Sequence, residues 1–199
     1  LFENCFRGVQ FRSFNDYNYT FDGCEFLSCG IPVFCDHGNF YVRNSHFEKS
    51  KEVDIWTNAE HGSSIRRCTS KGSNYFVYHR NPVSPLTIQD CAVSGWTSGY
   101  GALVLLGAPV LMFDCSFYDS RDHSCPLVKA ENQNQRIFLS NNSWNGDAQM
   151  LSGLKHKYEF PVGSRKGVIV SSDTRFLSSS VRIPQKVFDA RRDFSARGD

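Results

Sequence analysis

Short apolar stretches bounded by Gly, Asn, Asp or Pro recur along this chain at a nearly fixed interval. "IPVFCDH" (31–37), "VDIWTN" (53–58), "YFVYHR" (75–80), "ALVLLG" (102–107), "PLVKAE" (126–131) and "AQMLSG" (148–153) align on Val33, Ile55, Val77, Val104, Val128 and Met150. The stretches are short and rich in β-branched and aromatic residues, which predicts strands. No segment sustains the i, i+3, i+4, i+7 apolar spacing of an amphipathic helix.

A second phrase repeats between them: an apolar residue, a turn-former, then a small residue. It reads "FENC" (2–5), "FDGCEF" (21–26), "VRNSHF" (42–47), "IRRC" (65–68), "IQDC" (88–91), "MFDCSF" (112–117) and "LSNNSW" (139–144). Cys5 to Cys24 is 19 residues, Cys68 to Cys91 is 23 and Cys91 to Cys115 is 24, with Ser45 and Asn142 holding the place elsewhere. A period of about 20–25 residues marks a repeat architecture, in which each unit buries its apolar face by stacking on its neighbours. With strand-type patterning, and without a leucine-rich consensus, the sequence predicts an all-β, right-handed parallel β-helix. It would have about seven or eight coils of 19–27 residues over 1–180, the hand following the crossover rule.

Coils stacked at roughly 4.8 Å turn equivalent residues into columns. The residues before the small position (Asn4, Gly23, Asn44, Arg67, Asp90, Asp114, Asn141) are expected at a sharp bend, where Gly, Asn and Asp tolerate left-handed backbone. Arg67 is the misfit. The cysteines then point inward as small, nearly apolar groups. Asp54 and Lys129 are expected to face solvent, which puts Val53, Ile55, Thr57 and Val128 inside. In that register one outward column reads Phe34, Trp56, Tyr78, Leu105, Lys129, Leu151, and the next reads Asp36, Asn58, Arg80, Gly107, Glu131, Gly153.

Composition changes this picture little. The 199 residues suffice for one domain with a core, and 17 Phe, 3 Trp and 8 Tyr suit a solenoid with aromatic stacks. A net charge of +2 without a basic run gives no indication of nucleic acid, and no 18-residue apolar run indicates a membrane span. The chain opens inside a repeat, so an N-terminal cap and any secretion signal are expected upstream. Five of the eight cysteines fall on the repeating internal place and are expected as free thiols. Cys29, Cys35 and Cys125 lie off it, and Cys29–Cys35 is the one disulfide worth considering. No paired Cys or His spacing suggests a metal centre. "NYT" at Asn18 and "NNS" at Asn141 match the glycosylation acceptor pattern.

After residue 157 the repeat loosens. The stretch Arg192-Asp193-Phe194-Ser195-Ala196-Arg197-Gly198-Asp199 resembles the motif that opens pectate-lyase-like β-helix domains, Asp-Phe-Gly-Ala-x-Gly-Asp-Gly, with Ser195 in place of a glycine. The resemblance implies a carbohydrate-active, extracellular or cell-surface protein, a polysaccharide lyase or glycoside hydrolase. It also implies that residues 181–199 are a linker and the start of a further β-helix domain. Arg197-Gly198-Asp199 belongs to that motif before it suggests an adhesion tripeptide.

The expected partner is therefore a polysaccharide, with no cofactor required. Phe34, Trp56 and Tyr78 would form a stacking platform flanked by Asp36, Asn58 and Arg80. Enlarged loops at 94–101 and 118–124 would wall a groove. They offer Trp96 and Tyr100 for stacking, and Asp119, Arg121, Asp122 and His123 for polar or acid/base work. Asp90 and Asp114, one coil apart, would lie roughly 5 Å from each other, a spacing that suits a glycosidase pair or Ca²⁺ and equally suits ordinary bends. Two function classes follow: a carbohydrate-active module with catalysis in the further domain or these loops, or a non-catalytic structural or adhesion β-helix such as a tailspike.

Overall fold

The computed structural model describes residues 1–12, 18–99 and 101–118, and the segments 128–130, 136–140, 142–144, 151–152, 167–170 and 175–176. It is a parallel β-solenoid of about five turns, with further strands paired onto its end. No helix occurs among the described residues. Three sheets of eight, seven and seven strands run along it, and successive strands within each sheet come from successive coils.

A coil passes through the three sheets in turn. The third sheet holds Tyr19–Asp22, Phe40–Arg43, Ser63–Arg66, Leu86–Gln89 and Val110–Phe113. After a corner the chain enters the first sheet, at Glu25–Leu27, His46–Glu48, Thr69–Lys71, Ala92–Ser94 and Ser116–Tyr118. A second corner leads to the second sheet, at Ile31–Cys35, Val53–Thr57, Tyr75–His79 and Leu103–Leu105. Phe2–Glu3 and Arg7–Phe11 begin the first and second sheets.

Both corners are made by residues in left-handed backbone. Gly23, Asn44, Arg67, Asp90 and Asp114 have φ of 64°, 51°, 52°, 52° and 56° at the first corner. Asn4, Ser28, Lys49, Gly72 and Gly95 have φ of 54°, 53°, 56°, 68° and 60° at the second. The reversal of φ turns the chain while its amide still bonds to the next coil. Arg67 N donates to Gln89 O at 2.9 Å, and Lys49 N donates to Lys71 O at 2.9 Å. The first corner is the expected bend, Arg67 included. The second corner was not foreseen, and Asn4 belongs to it.

That difference reassigns Cys5. Phe2 pairs with Phe26 and Glu3 with Leu27, and Gly30 N donates to Cys5 O at 2.8 Å. Cys5 thus stacks on Cys29, 24 residues on, and not on Cys24. Its column continues through Ser50, Ser73 and Trp96, where Lys51 N bonds Cys29 O, Asn74 N bonds Ser50 O and Thr97 N bonds Ser73 O. The expected column does form from Cys24 through Ser45, Cys68, Cys91 and Cys115 to Asn142. Ser45, Cys68, Cys91, Cys115 and Asn142 are buried in it. Serine and cysteine members bond the carbonyl two residues back, Ser45 to Arg43 at 2.8 Å, Cys68 to Arg66 at 3.2 Å and Cys115 to Phe113 at 3.1 Å, while Asn142 Nδ2 donates to Met112 O at 2.9 Å. Cys29 and Cys35 are free, so the bridge between them does not form.

The interior is filled by matching large to small. Phe2, Phe26 and Phe47 stack inward from the first sheet with centroids 4.9 and 5.2 Å apart. The next first-sheet place is Ser70, because Phe76 reaches in from the opposite sheet and meets Phe47 edge-on at 6.5 Å. The opposite column reads Gly8, Pro32, Asp54, Phe76, Ala102. Gly8 must be small, since a Cβ there would lie 2.6 Å from Pro32 O and 2.9 Å from the Phe26 ring. Asp54 is therefore not solvent-facing. The second-sheet strands bend at this place, so that Asp54 and Ile55 both point inward, as Phe76 and Val77 do. Val53 instead packs on the outer surface with Phe34 and Trp56.

The register also shifts at the fifth coil. Val77 pairs with Leu103, and Leu103 with Val128, so Leu103 replaces Val104 as the inward anchor. Leu151, not Met150, pairs with Val128. Leu105 is consequently buried in the core, below His79, and strand pairing continues from Tyr78 through Val104 and Lys129 to Ser152. Leu106 follows Arg80 in the neighbouring column where Gly107 was expected, since its amide bonds His79 O as that of Arg80 bonds Thr57 O.

Candidate functional site

The outer face of the second sheet carries the aromatic residues singled out by the sequence. Phe34 pairs with Trp56 and Trp56 with Tyr78 on consecutive coils. The rings are nearly parallel, Phe34 to Trp56 at 4.3 Å and 7°, Trp56 to Tyr78 at 6.5 Å and 5°. The Arg7 guanidinium caps the Phe34 ring at 4.0 Å, with Arg12 at 5.4 Å. These distances are those of stacked aromatics and of cation–π contact. Ile31 and Val53 fill in beside them, and Tyr75 packs against the cluster.

This geometry differs from a flat platform. Rings on equivalent positions of stacked coils lie face to face, so the faces meant for sugar cover one another. Phe34 retains only 7% exposure. Trp56 and Tyr78 remain half-buried, and being sandwiched along the axis they meet solvent by their edges.

The flanking polar column is present. Asp36 and Asn58 are half-buried and Arg80 is exposed. Asn58 Nδ2 donates to Asp36 Oδ1 at 3.4 Å. Just beyond, His37 Nδ1 lies 3.1 Å from Glu60 Oε1. Carboxylate, amide, imidazole and guanidinium groups thus line one side of the aromatic column, a set able to accept from and donate to hydroxyls.

The loop at 94–101 contributes less than expected. Trp96 is 2% exposed and packs in the core beneath the second corner, because that inward position follows Gly95 in each coil. It offers no surface for stacking. Tyr100, Asp119, Arg121, Asp122, His123, Glu131 and Gly153, and residues 177–199 with the domain-opening motif, lie outside the described residues.

Asp90 and Asp114 are both corner residues. Asp90 lines a shallow groove with Arg43, Asn44, Arg66, Arg67 and Gln89. Arg43 there pairs with Asp22 at 2.9 Å, and Asn44 Nδ2 donates to the same carboxylate at 2.7 Å. Among the described residues no three His, Cys, Asp or Glu side chains cluster as metal ligands would.

The titratable group that sequence reasoning placed wrongly is Asp54. It is fully buried, and Ser70 Oγ donates to Oδ2 at 2.5 Å. Burial pushes its carboxyl up to about 7, against the opposing pull of the Ser50, Ser70 and Ser73 hydroxyls. Only serines recurring opposite a strand aspartate could have hinted at this. His79 is also interior: Nε2 donates to Ser84 O at 2.9 Å, and burial holds the ring below the usual histidine range. Among the thiols, burial lifts Cys35 to about 12. The adjoining Cys91 thiol, ahead of burial, raises Cys68. These groups are placed for structure, not for contact with a substrate.

Comparison with known proteins finds no match to a family model, a curated protein or a solved structure.

Proposed function

We propose that the chain is the polysaccharide-binding module of a larger carbohydrate-active protein, a lyase or glycoside hydrolase working outside the cell or at its surface. The observation that carries this reading is the pair of half-exposed rings, Trp56 and Tyr78, on consecutive coils beside Asp36, Asn58 and Arg80. Repetition at roughly 4.8 Å per coil approximates the length of a sugar ring, so a glycan chain could run along the solenoid axis. Because ring faces are occupied, the aromatic edges give shape to the site, and the polar column supplies hydrogen bonds to hydroxyls or carboxylates. The resemblance of residues 192–199 to a domain-opening motif supports catalysis in a further β-helix domain. Asp119, Asp122 and His123 are the candidates within this chain.

A non-catalytic structural or adhesion β-helix is the second reading. It is favoured by the continuous stack of Arg7, Phe34, Trp56 and Tyr78, which spends its ring faces on internal cohesion. A glycan array probed with this chain separates the two. Under the first reading at least one polysaccharide binds, and Trp56→Ala weakens binding about tenfold, roughly 1–2 kcal/mol. Under the second no glycan binds, and Trp56→Ala only lowers the melting temperature.

A further inference from the structure

We propose that Cys5 and Cys29 are an oxidisable pair, a modification site at which a disulfide joins the first two coils through the second corner. The two residues hold equivalent places on adjacent coils. Asn4 N donates to Leu27 O at 2.9 Å and Gly30 N donates to Cys5 O at 2.8 Å, which locks their backbones in register on both sides. Strands so paired lie roughly 4.8 Å apart, inside the 4.4–6.8 Å Cα range of disulfides.

The Cys29 thiol reaches across to the first coil, the coil of Cys5. Cys29 Sγ lies 3.5 Å from Leu27 O and 3.6 Å from Phe2 O, and Cys5 Sγ lies 3.5 Å from Glu3 O. Burial chiefly raises the Cys29 pKa; a backbone hydrogen bond with Cys5 opposes the rise, and the Cys5 thiol adds to it.

In this 199-residue chain, access sets the pair apart from the other thiols. Cys5 is partly exposed, whereas Cys68, Cys91 and Cys115 are all buried. Cys24 is partly exposed, but its column neighbour is Ser45. Cys35 is buried between Phe11 and Thr57. Among the described residues, only Cys5–Cys29 joins an accessible thiol to a thiol partner on the next coil.

The chemistry is thiol–disulfide exchange with a low-molecular-weight disulfide as oxidant. The Cys5 thiolate attacks one sulfur of the oxidant, forming a mixed disulfide and releasing one small thiolate. The Cys29 thiolate then attacks the Cys5 sulfur, forming the intramolecular bond and releasing the second. The protein loses two electrons and two protons, and one oxidant becomes two small thiols.

The test is oxidised glutathione added to the reduced chain, followed by unfolding, thiol counting and peptide mapping. The count should fall by two, from the eight cysteines of the sequence to six, with the Cys5 and Cys29 peptides linked. The oxidised form should melt at a higher temperature, and reductant should reverse both changes. Cys5→Ser should abolish the link and still fold, since serine already occupies this column at Ser50 and Ser73. A count that stays at eight, or a link mapped to any other pair, would overturn the assignment.

Discussion

At the scale of the residue, Asp54 is the most consequential placement in the molecule. A carboxylate inside a solenoid would be charged in a low-dielectric interior, and its supporting hydroxyls do not neutralise it. It resolves this by holding a proton. The pKa rises from 3.8 to about 7 on folding. Below the lower value both states are protonated, and the residue's contribution is fully present. As pH rises through that window the unfolded chain releases its proton more readily than the folded chain, so this contribution is lost, by on the order of 4 kcal/mol. Asp54→Asn removes the titration and keeps the shape. Urea midpoints measured at about pH 4.5 and pH 8 should show wild type losing stability relative to the variant as pH rises. Parallel behaviour of the two proteins would show that the carboxyl does not titrate on folding. Nothing in the local pattern "VDIWTN" announces this burial. Alternation places Asp54 outside, and only the bend shared with Phe76 and Val77 turns it in.

At the scale of the element, the coil is defined by two left-handed corners and by complementary filling between sheets. Gly8 shows how narrow the tolerance is. An added Cβ meets backbone at Pro32 O and the rigid edge of Phe26, neither of which can swing aside. Gly8→Ala should therefore destabilise by about 1–3 kcal/mol, as overpacking does, and chemical denaturation measures it. Wild-type stability in that variant would mean that the phenylalanine stack of Phe2, Phe26 and Phe47 is not as close as described. The first corner was legible because its residues are mostly Gly, Asn and Asp beside a repeating cysteine. The second was not, because Ser28 and Lys49 interrupt the run of Asn and Gly at that corner, and the inward residue that follows varies in size from Cys29, Ser50 and Ser73 to Trp96. The shorter interval from Cys5 to Cys24 was the available warning that "FENC" belongs elsewhere. The one-residue slip at Val104 arose in the same way, from an inserted loop whose length sequence cannot apportion between its two ends.

At the scale of the whole molecule, the period, the strand character and the parallel stacking were all written in the sequence, and the three sheets bear them out. The outer face was legible in composition but not in posture. Alternation located Phe34, Trp56 and Tyr78 on one column, yet could not say that rings at this spacing would stack on each other and turn their edges outward. That posture makes the aromatic variants ambiguous, since each also removes a stacking contact of about 0.5–1.5 kcal/mol from the fold. Arg80 is free of the ambiguity. It is exposed and stands outside the ring stack, in the polar column beside Trp56 and Tyr78. The most direct test of a glycan-binding face is therefore Arg80→Ala, measured by calorimetric titration with the polysaccharide selected on the array and by thermal melting in parallel. A binding face predicts affinity lower by about tenfold, as for a lost charged hydrogen bond, with an unchanged melting temperature. Unchanged affinity would place the glycan elsewhere on the solenoid and contradict the account.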